Sequence, residues 1–218
     1  MILPGGRLAS VDWKRLLRRG FVAVVLGVVA GVAAMEVFIA RTPLPAGLLA
    51  EEEGTTSLVD ANGLLIARLG SDRARMSFPL PADELGEWLP KVTVALEDHR
   101  FYRHKGVDLR GILAAAWRNV RSGRIVSGGS TISQQVIKLA DRRAGRSWSA
   151  KIREALLAIK LERQWSKEQI LTAYLNRIDY GNRRIGAEAA ARSYFGKPAR
   201  LLTLPEATYL AGLPQAPS

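Results

Sequence analysis

The chain has 218 residues, enough for one well-filled domain and an appendage, with no cysteine and only two histidines, His99 and His104. That composition excludes a disulfide scaffold and a thiolate metal site, and an all-protein zinc site would need mostly carboxylates. The net charge of +12 is uneven: residues 41–90 hold 4 Lys/Arg against 8 Asp/Glu, and residues 91–200 hold 23 against 9. A cationic excess confined to one region attracts polyanions, whether nucleic acid, an anionic membrane face or a phosphate-bearing substrate.

Residues 1–20 are basic, and residues 21–40, "FVAVVLGVVAGVAAMEVFIA", form an apolar run of the length that crosses a hydrocarbon core, interrupted only by Glu36. The run is longer than the apolar region of a signal peptide and no A-x-A pattern follows it closely, so it reads as a membrane anchor. Lys14, Arg15, Arg18 and Arg19 keep the N-terminus in the cytoplasm by the positive-inside rule. Everything from Arg41 onward then lies on the outer side. Residues 41–54, rich in Pro, Gly and acid, read as a linker. Asn62-Gly63 between two short apolar runs predicts a β-hairpin.

From Pro90 the pattern turns helical. "DLRGILAAAWRNV" sets Leu109, Ile112, Leu113, Ala116 and Val120 on one stripe with Gly123 just beyond as a stop, a helix expected to pack by that stripe. "RSGRIVSGG", residues 121–129, reads as a mobile connection because it has three glycines and little to bury. Three later helices open with capping boxes, Thr131 with Gln134, Ser166 with Gln169 and Thr203 with Glu206. Between them "AKIREALLAIKLERQW" is apolar on two faces, Ile152, Leu156 and Ile159 on one and Leu157, Leu161 and Trp165 on another, as expected of a helix in the middle of a bundle.

Several polar residues stand out. Glu97 ends an apolar run and is followed by Asp98, Arg100, Arg103 and Lys105; it is either a solvated acid at a helix end or a partly desolvated carboxyl group placed to move a proton. Glu154, one turn from Lys151, is either half of an ordinary ion pair or a second functional carboxylate. "SGGSTISQQ" leads into a capped helix start, where free N–H groups favour an anion. The tandem Gln134 and Gln135 are hard to explain by packing, and Lys138 lies one turn beyond Gln134.

Taken together these pieces resemble the family 51 glycosyltransferases, the peptidoglycan polymerases found alone or as the N-terminal half of class A penicillin-binding proteins. "EDHRFYRHKG" resembles E-D-x-x-F-x-x-H-x-G, "GGSTISQQ" resembles G-x-S-T-I-x-Q-Q, and "KEQILTAYLN" resembles K-x-x-I-L-x-x-Y-L-N, while "YFGK" and "LAGLPQAP" match the closing segments. The style of "DYGNRRIGAEAAA" is nearer the 1C kind of penicillin-binding protein. The resemblance covers residues 55–218 and departs in one motif: R-K-x-x-E appears as "AKIRE", with Ala150 in place of the arginine. The chain also stops just after the closing segment, where family members continue, so the expectation is a C-terminally truncated domain, and whether a transpeptidase follows in the native protein is left open.

The resemblance implies a mainly α, lysozyme-like domain with a short β-hairpin region and a membrane-facing hydrophobic jaw, behind one N-terminal transmembrane helix in the bacterial inner membrane. The implied reaction passes a growing glycan from undecaprenyl pyrophosphate to the 4-hydroxyl of lipid II, with Glu97 as general base and inversion at the anomeric carbon. Glu154 would act in the donor half, on the pyrophosphate or on a divalent cation such as Mg2+. Lys138, Arg146 and Lys151 would balance the pyrophosphate. Ser130, Thr131, Gln134 and Gln135 would hold sugar and phosphate oxygens, with Asp98, Phe101, His104 and Asn176 completing the substrate site. The implied partners are lipid II, the glycan chain, membrane lipid and other wall-synthesis proteins, and not nucleic acid. A lysozyme-like hydrolase, a nucleic-acid-binding module and an inactive wall-synthesis scaffold are the competing classes.

Overall fold

The computed structural model describes residues 13–49, 55–61, 65–69, 76–124, 128–141 and 147–215. The chain forms two units, Met1–Pro43 and Leu44–Ser218. In the first, α1 (Trp13–Arg41) is a single helix of 29 residues, about 43 Å long at 1.5 Å per residue. It is long and apolar enough to cross a membrane. The helix already includes Trp13, before the apolar run, because Lys, Leu and Arg are good helix formers and nothing between them and the run breaks it.

The second unit is mainly α, as expected. Part of the segment read as a linker is built into it: α2 (Ala46–Leu49) buries the apolar side chain of Leu48 in the core beside α5 (Ile132–Ala140). The hairpin is present as an antiparallel pair, β1 (Thr56–Val59) and β2 (Leu65–Leu69), with Thr56 opposite Leu69 and Leu58 opposite Ala67. Its Asn62-Gly63 turn lies outside the described residues. A second, parallel pair joins β3 (Met76–Ser77) to β4 (Arg184–Ile185), tying the start of the domain to a segment more than a hundred residues later.

The helices α3 (Trp88–Glu97), α4 (Leu109–Ser122), α5, α6 (Trp148–Gln164), α7 (Lys167–Arg177), α8 (Ala187–Phe195) and α9 (Leu204–Gly212) make up the rest. All three capping boxes are formed. Helix α5 is the hub: its buried Ile132, Val136 and Ile137 meet Leu157, Ala158 and Leu161 of α6 and Ile170, Tyr174 and Leu175 of α7. Helix α3 packs on α9, and the alanines of α8 allow close approach to the strands and to the turn at Ala199. Gly186, at φ +85°, opens α8 where a Cβ would come within 2.7 Å of the Asn176 carbonyl, so only glycine fits there.

Two packing expectations are corrected. Helix α6 is not enclosed on all sides: Leu157 and Leu161 are buried, whereas Ile152 is 61% exposed and Leu156 and Ile159 are half-buried. Helix α4 forms where the sequence predicts and ends on Gly123 in the left-handed conformation, but its apolar stripe does not pack. Leu113, Trp117 and Val120 are 70%, 67% and 78% exposed, and only Ala115 is buried. Periodicity shows that a helix has an apolar face; it does not say what covers that face. Helix α4 also extends into the segment read as mobile, whose residues 125–127 lie outside the described residues.

Candidate active site

The adjacent carboxylates Glu97 and Asp98 part company at the end of α3. Asp98 leaves helical geometry at φ −156° and ψ 73°, which turns its side chain inward while Glu97 stays half-buried on the last helical turn. Asp98 Oδ2 accepts a hydrogen bond from the Ile132 amide at 3.0 Å and lies 2.9 Å from His104 Nε2. The N-terminus of α5 therefore has its anion already, and it is the protein's own carboxylate. The rest of that helix start is also engaged. Thr131 Oγ1 donates to the Gly106 carbonyl at 2.6 Å and accepts from the Gln134 amide at 3.2 Å, while Gln134 Oε1 accepts from the Thr131 amide at 3.1 Å. Gly106, at φ +96°, has no room for a Cβ, which would sit 2.7 Å from the backbone of Ala158 and Ile159.

Beneath this turn lies a buried polar cluster in which sequence reasoning singled out only Asp98 and His104. Lys167 Nζ donates to the His104 carbonyl at 2.8 Å and to Glu162 Oε1 at 2.6 Å, and stands 4.3 Å from the centre of the Phe101 ring. Ser133 Oγ donates to the same Glu162 oxygen at 2.5 Å. His104 Nδ1 has no hydrogen-bond partner and faces Glu162 at 3.8 Å. A part-buried Lys–Glu pair with this many hydrogen bonds fixes geometry. Lys167 opens the quoted motif "KEQILTAYLN", which was the available signal; Glu162 and Ser133 had none.

Glu97 turns the other way. Gln135 Nε2 donates to its Oε2 at 2.9 Å, and the Tyr174 hydroxyl lies 3.4 Å from Gln135 Oε1. Tyr174 and Tyr180 are both buried, and their phenols are pushed well above the ordinary value, first by burial and then by the negative charge of Glu97. Neither tyrosine was singled out as a site residue, although Tyr174 holds the fixed tyrosine of "KEQILTAYLN", which was the available signal; Tyr180 reads equally well as core.

The second cluster starts from α6. Ser147 caps this helix by accepting the Ala150 amide at 3.1 Å. One turn in, Lys151 Nζ pairs with Glu154 and also donates to Ser130 Oγ at 2.9 Å. Glu154 is buried and Lys151 is exposed. The expected ion pair is thus present, and it is joined to residue 130, five positions before Gln135.

The remaining candidates divide. Lys138 is exposed on α5, three residues after Gln135 and on the same side of the helix. Gln134, expected to hold ligand oxygens, is buried and engaged in its cap. Phe101 is 0% exposed, and with Asp98 and His104 it supports the wall from inside and offers no surface to a ligand. Asn176 is likewise engaged: its amide receives the Leu80 N–H at 3.1 Å and donates to the Leu80 carbonyl at 2.8 Å, bracing α7 against that segment. It borders a separate cavity of about 510 Å³ near Asp83, Trp165 and Glu168, which contains neither candidate carboxylate. Arg146 lies outside the described residues. Among the described residues no three His, Asp or Glu side chains gather as metal ligands. The carboxylate expected to meet Mg2+, Glu154, is paired with Lys151.

The family model described as Transglycosylase matches residues 62–218. The chain is 39% identical over 201 residues to penicillin-binding protein 1A of Streptococcus oralis, covering 84% of this chain and 31% of that one. It is 44% identical over 163 residues to penicillin-binding protein 1A of Aquifex aeolicus, covering 75% and 22%, and 43% identical over 162 residues to that of Neisseria gonorrhoeae, covering 74% and 20%. All three are of the 1A kind, where one segment had suggested 1C. The chain spans between a fifth and a third of the length of these relatives. With the motifs in family order on a mainly α domain and a family match across most of the chain, this protein belongs to the transglycosylase family, the family 51 glycosyltransferases.

Proposed function

We propose that the chain is a peptidoglycan glycosyltransferase that extends glycan strands from lipid II and releases undecaprenyl pyrophosphate. The observation that carries this reading is Glu97, whose carboxylate is aimed by the Gln135 amide and lies beside two buried tyrosines, together with a second cluster in which Lys151 joins Glu154 to Ser130, five positions before Gln135. Glu97 takes the proton from the 4-hydroxyl of the acceptor sugar. The freed oxygen attacks the anomeric carbon of the donor, the bond from that carbon to the pyrophosphate oxygen breaks, and the configuration inverts.

Charge grows on the departing pyrophosphate, and preorganised cations there lower the barrier more than proton transfer alone. Lys151, Lys138 and Arg146 supply them, with Glu154 holding Lys151 in place, Ser130 meeting ligand oxygens and Gln135 aiming Glu97. Glu154 would be the carboxylate to meet a divalent cation such as Mg2+, and here it is paired with Lys151. Thr131, Gln134, Asp98, Phe101, His104 and Asn176 act from behind, by holding the segments that carry these groups. Helix α1 anchors the chain in the bacterial inner membrane with its N-terminus in the cytoplasm and the domain on the outer side, and the bare stripe of α4 is the kind of surface a bilayer covers.

The test is purified full chain incubated with lipid II, with glycan polymer as the readout. Wild type should polymerise, and Glu97→Gln should fold and bind lipid II yet lose about 10² to 10⁴ in rate. A folded Glu97→Gln chain within about tenfold of wild type would remove Glu97 from the role of base. A wild-type chain that makes no polymer would favour a scaffold in wall synthesis.

A further inference from the structure

A glutamine amide is nearly symmetric in shape, so packing alone does not decide whether its NH2 or its oxygen faces a neighbour; hydrogen-bond partners do. Beside a carboxylate the difference is large, because NH2 attracts it and the carbonyl oxygen repels it. Gln135 needs something to set its orientation. The candidate is Tyr174, whose hydroxyl lies 3.4 Å from Gln135 Oε1 while Nε2 of the same amide reaches Glu97 Oε2 at 2.9 Å. Contacts of this kind are often long until substrate closes on a site.

We propose that Tyr174 is a positioning residue for Glu97, acting through Gln135: its hydroxyl holds the amide oxygen, so that the NH2 is committed to the carboxylate. Tyr174 is 1% exposed and sits on α7 between the buried Leu171 and Leu175, so the ring cannot move aside and does not touch substrate. Its phenol stays protonated, burial foremost and the charge of Glu97 next opposing ionisation, so it is a permanent donor towards Gln135. Tyr180, also buried within the field of Glu97, does not substitute for it: no hydrogen bond joins it to Gln135 among the described residues.

This inference rests on Glu97 as the base, and the experiment separates the two. Lipid II polymerisation is measured in full chain carrying Tyr174→Phe, Gln135→Leu, both together, and Glu97→Gln. Tyr174→Phe removes one oxygen and keeps the ring. It should lower kcat about two- to tenfold, the rate equivalent of one hydrogen bond, with KM for lipid II unchanged. In the Gln135→Leu background it should have no further effect, because the group through which it acts is gone. An unchanged kcat, a parallel change in kcat and KM, or losses that multiply in the double variant would each overturn the proposal. An active Glu97→Gln chain would overturn the reading of the base instead.

Discussion

Gln135 donates to Glu97 across 38 positions of chain, while Gln134, its neighbour, turns back to cap the helix both residues share. Two identical side chains in tandem therefore have different work. Gln134→Ala should cost about 1 kcal/mol of stability through the lost cap and leave polymerisation per folded molecule near wild type. Gln135→Ala should do the reverse, lowering turnover. Thermal melts and lipid II turnover on both variants decide it, and equal effects on both readouts would count against the division.

Asp98 is expected to matter for stability before chemistry. Asp98→Ala would leave the Ile132 amide and His104 Nε2 without their acceptor in a buried place, at about 2 to 4 kcal/mol. Urea unfolding checks this. A loss below about 0.5 kcal/mol would return Asp98 to the surface acids.

The start of α4 carries a pH-dependent contribution. Burial by itself would raise the Asp108 carboxyl, but the Gly111 amide and the Arg100 guanidinium, 2.8 Å away, outweigh it and hold the group below its ordinary value. A carboxyl depressed in the folded state stabilises above its unfolded pKa, near 3.9, and loses that contribution as pH falls through the folded value. Arg100→Gln should therefore lower the melting temperature at pH 7, by an amount that shrinks as pH drops below about 4. A difference that grows on acidification would contradict the assignment.

The stripe of α4 should behave as a surface. Leu113→Ser with Trp117→Ser should leave urea stability within about 0.5 kcal/mol, since neither side chain is buried, yet reduce polymerisation on lipid vesicles. A loss of several kcal/mol would show that the stripe packs against the protein.

The sequence by itself determined what depends on near neighbours. The apolar run of α1, the three capping boxes, the α4 stop at Gly123 and the β1–β2 hairpin follow from propensities and spacings within a few residues, and all are present. The motifs in order pointed to the family and to Glu97. Only the tertiary structure decided which side chains face inward. One backbone turn separates Glu97 from Asp98, and bonds spanning 34, 38 and 96 positions place Asp98 under α5, Glu97 beside Gln135 and Asn176 against Leu80. It also left the α4 stripe bare, where periodicity had suggested a buried face. The physical reason is common to all of these: a local pattern specifies an element and its apolar face, whereas the partner of a polar group or of that face is set by segments that meet only when the chain is folded.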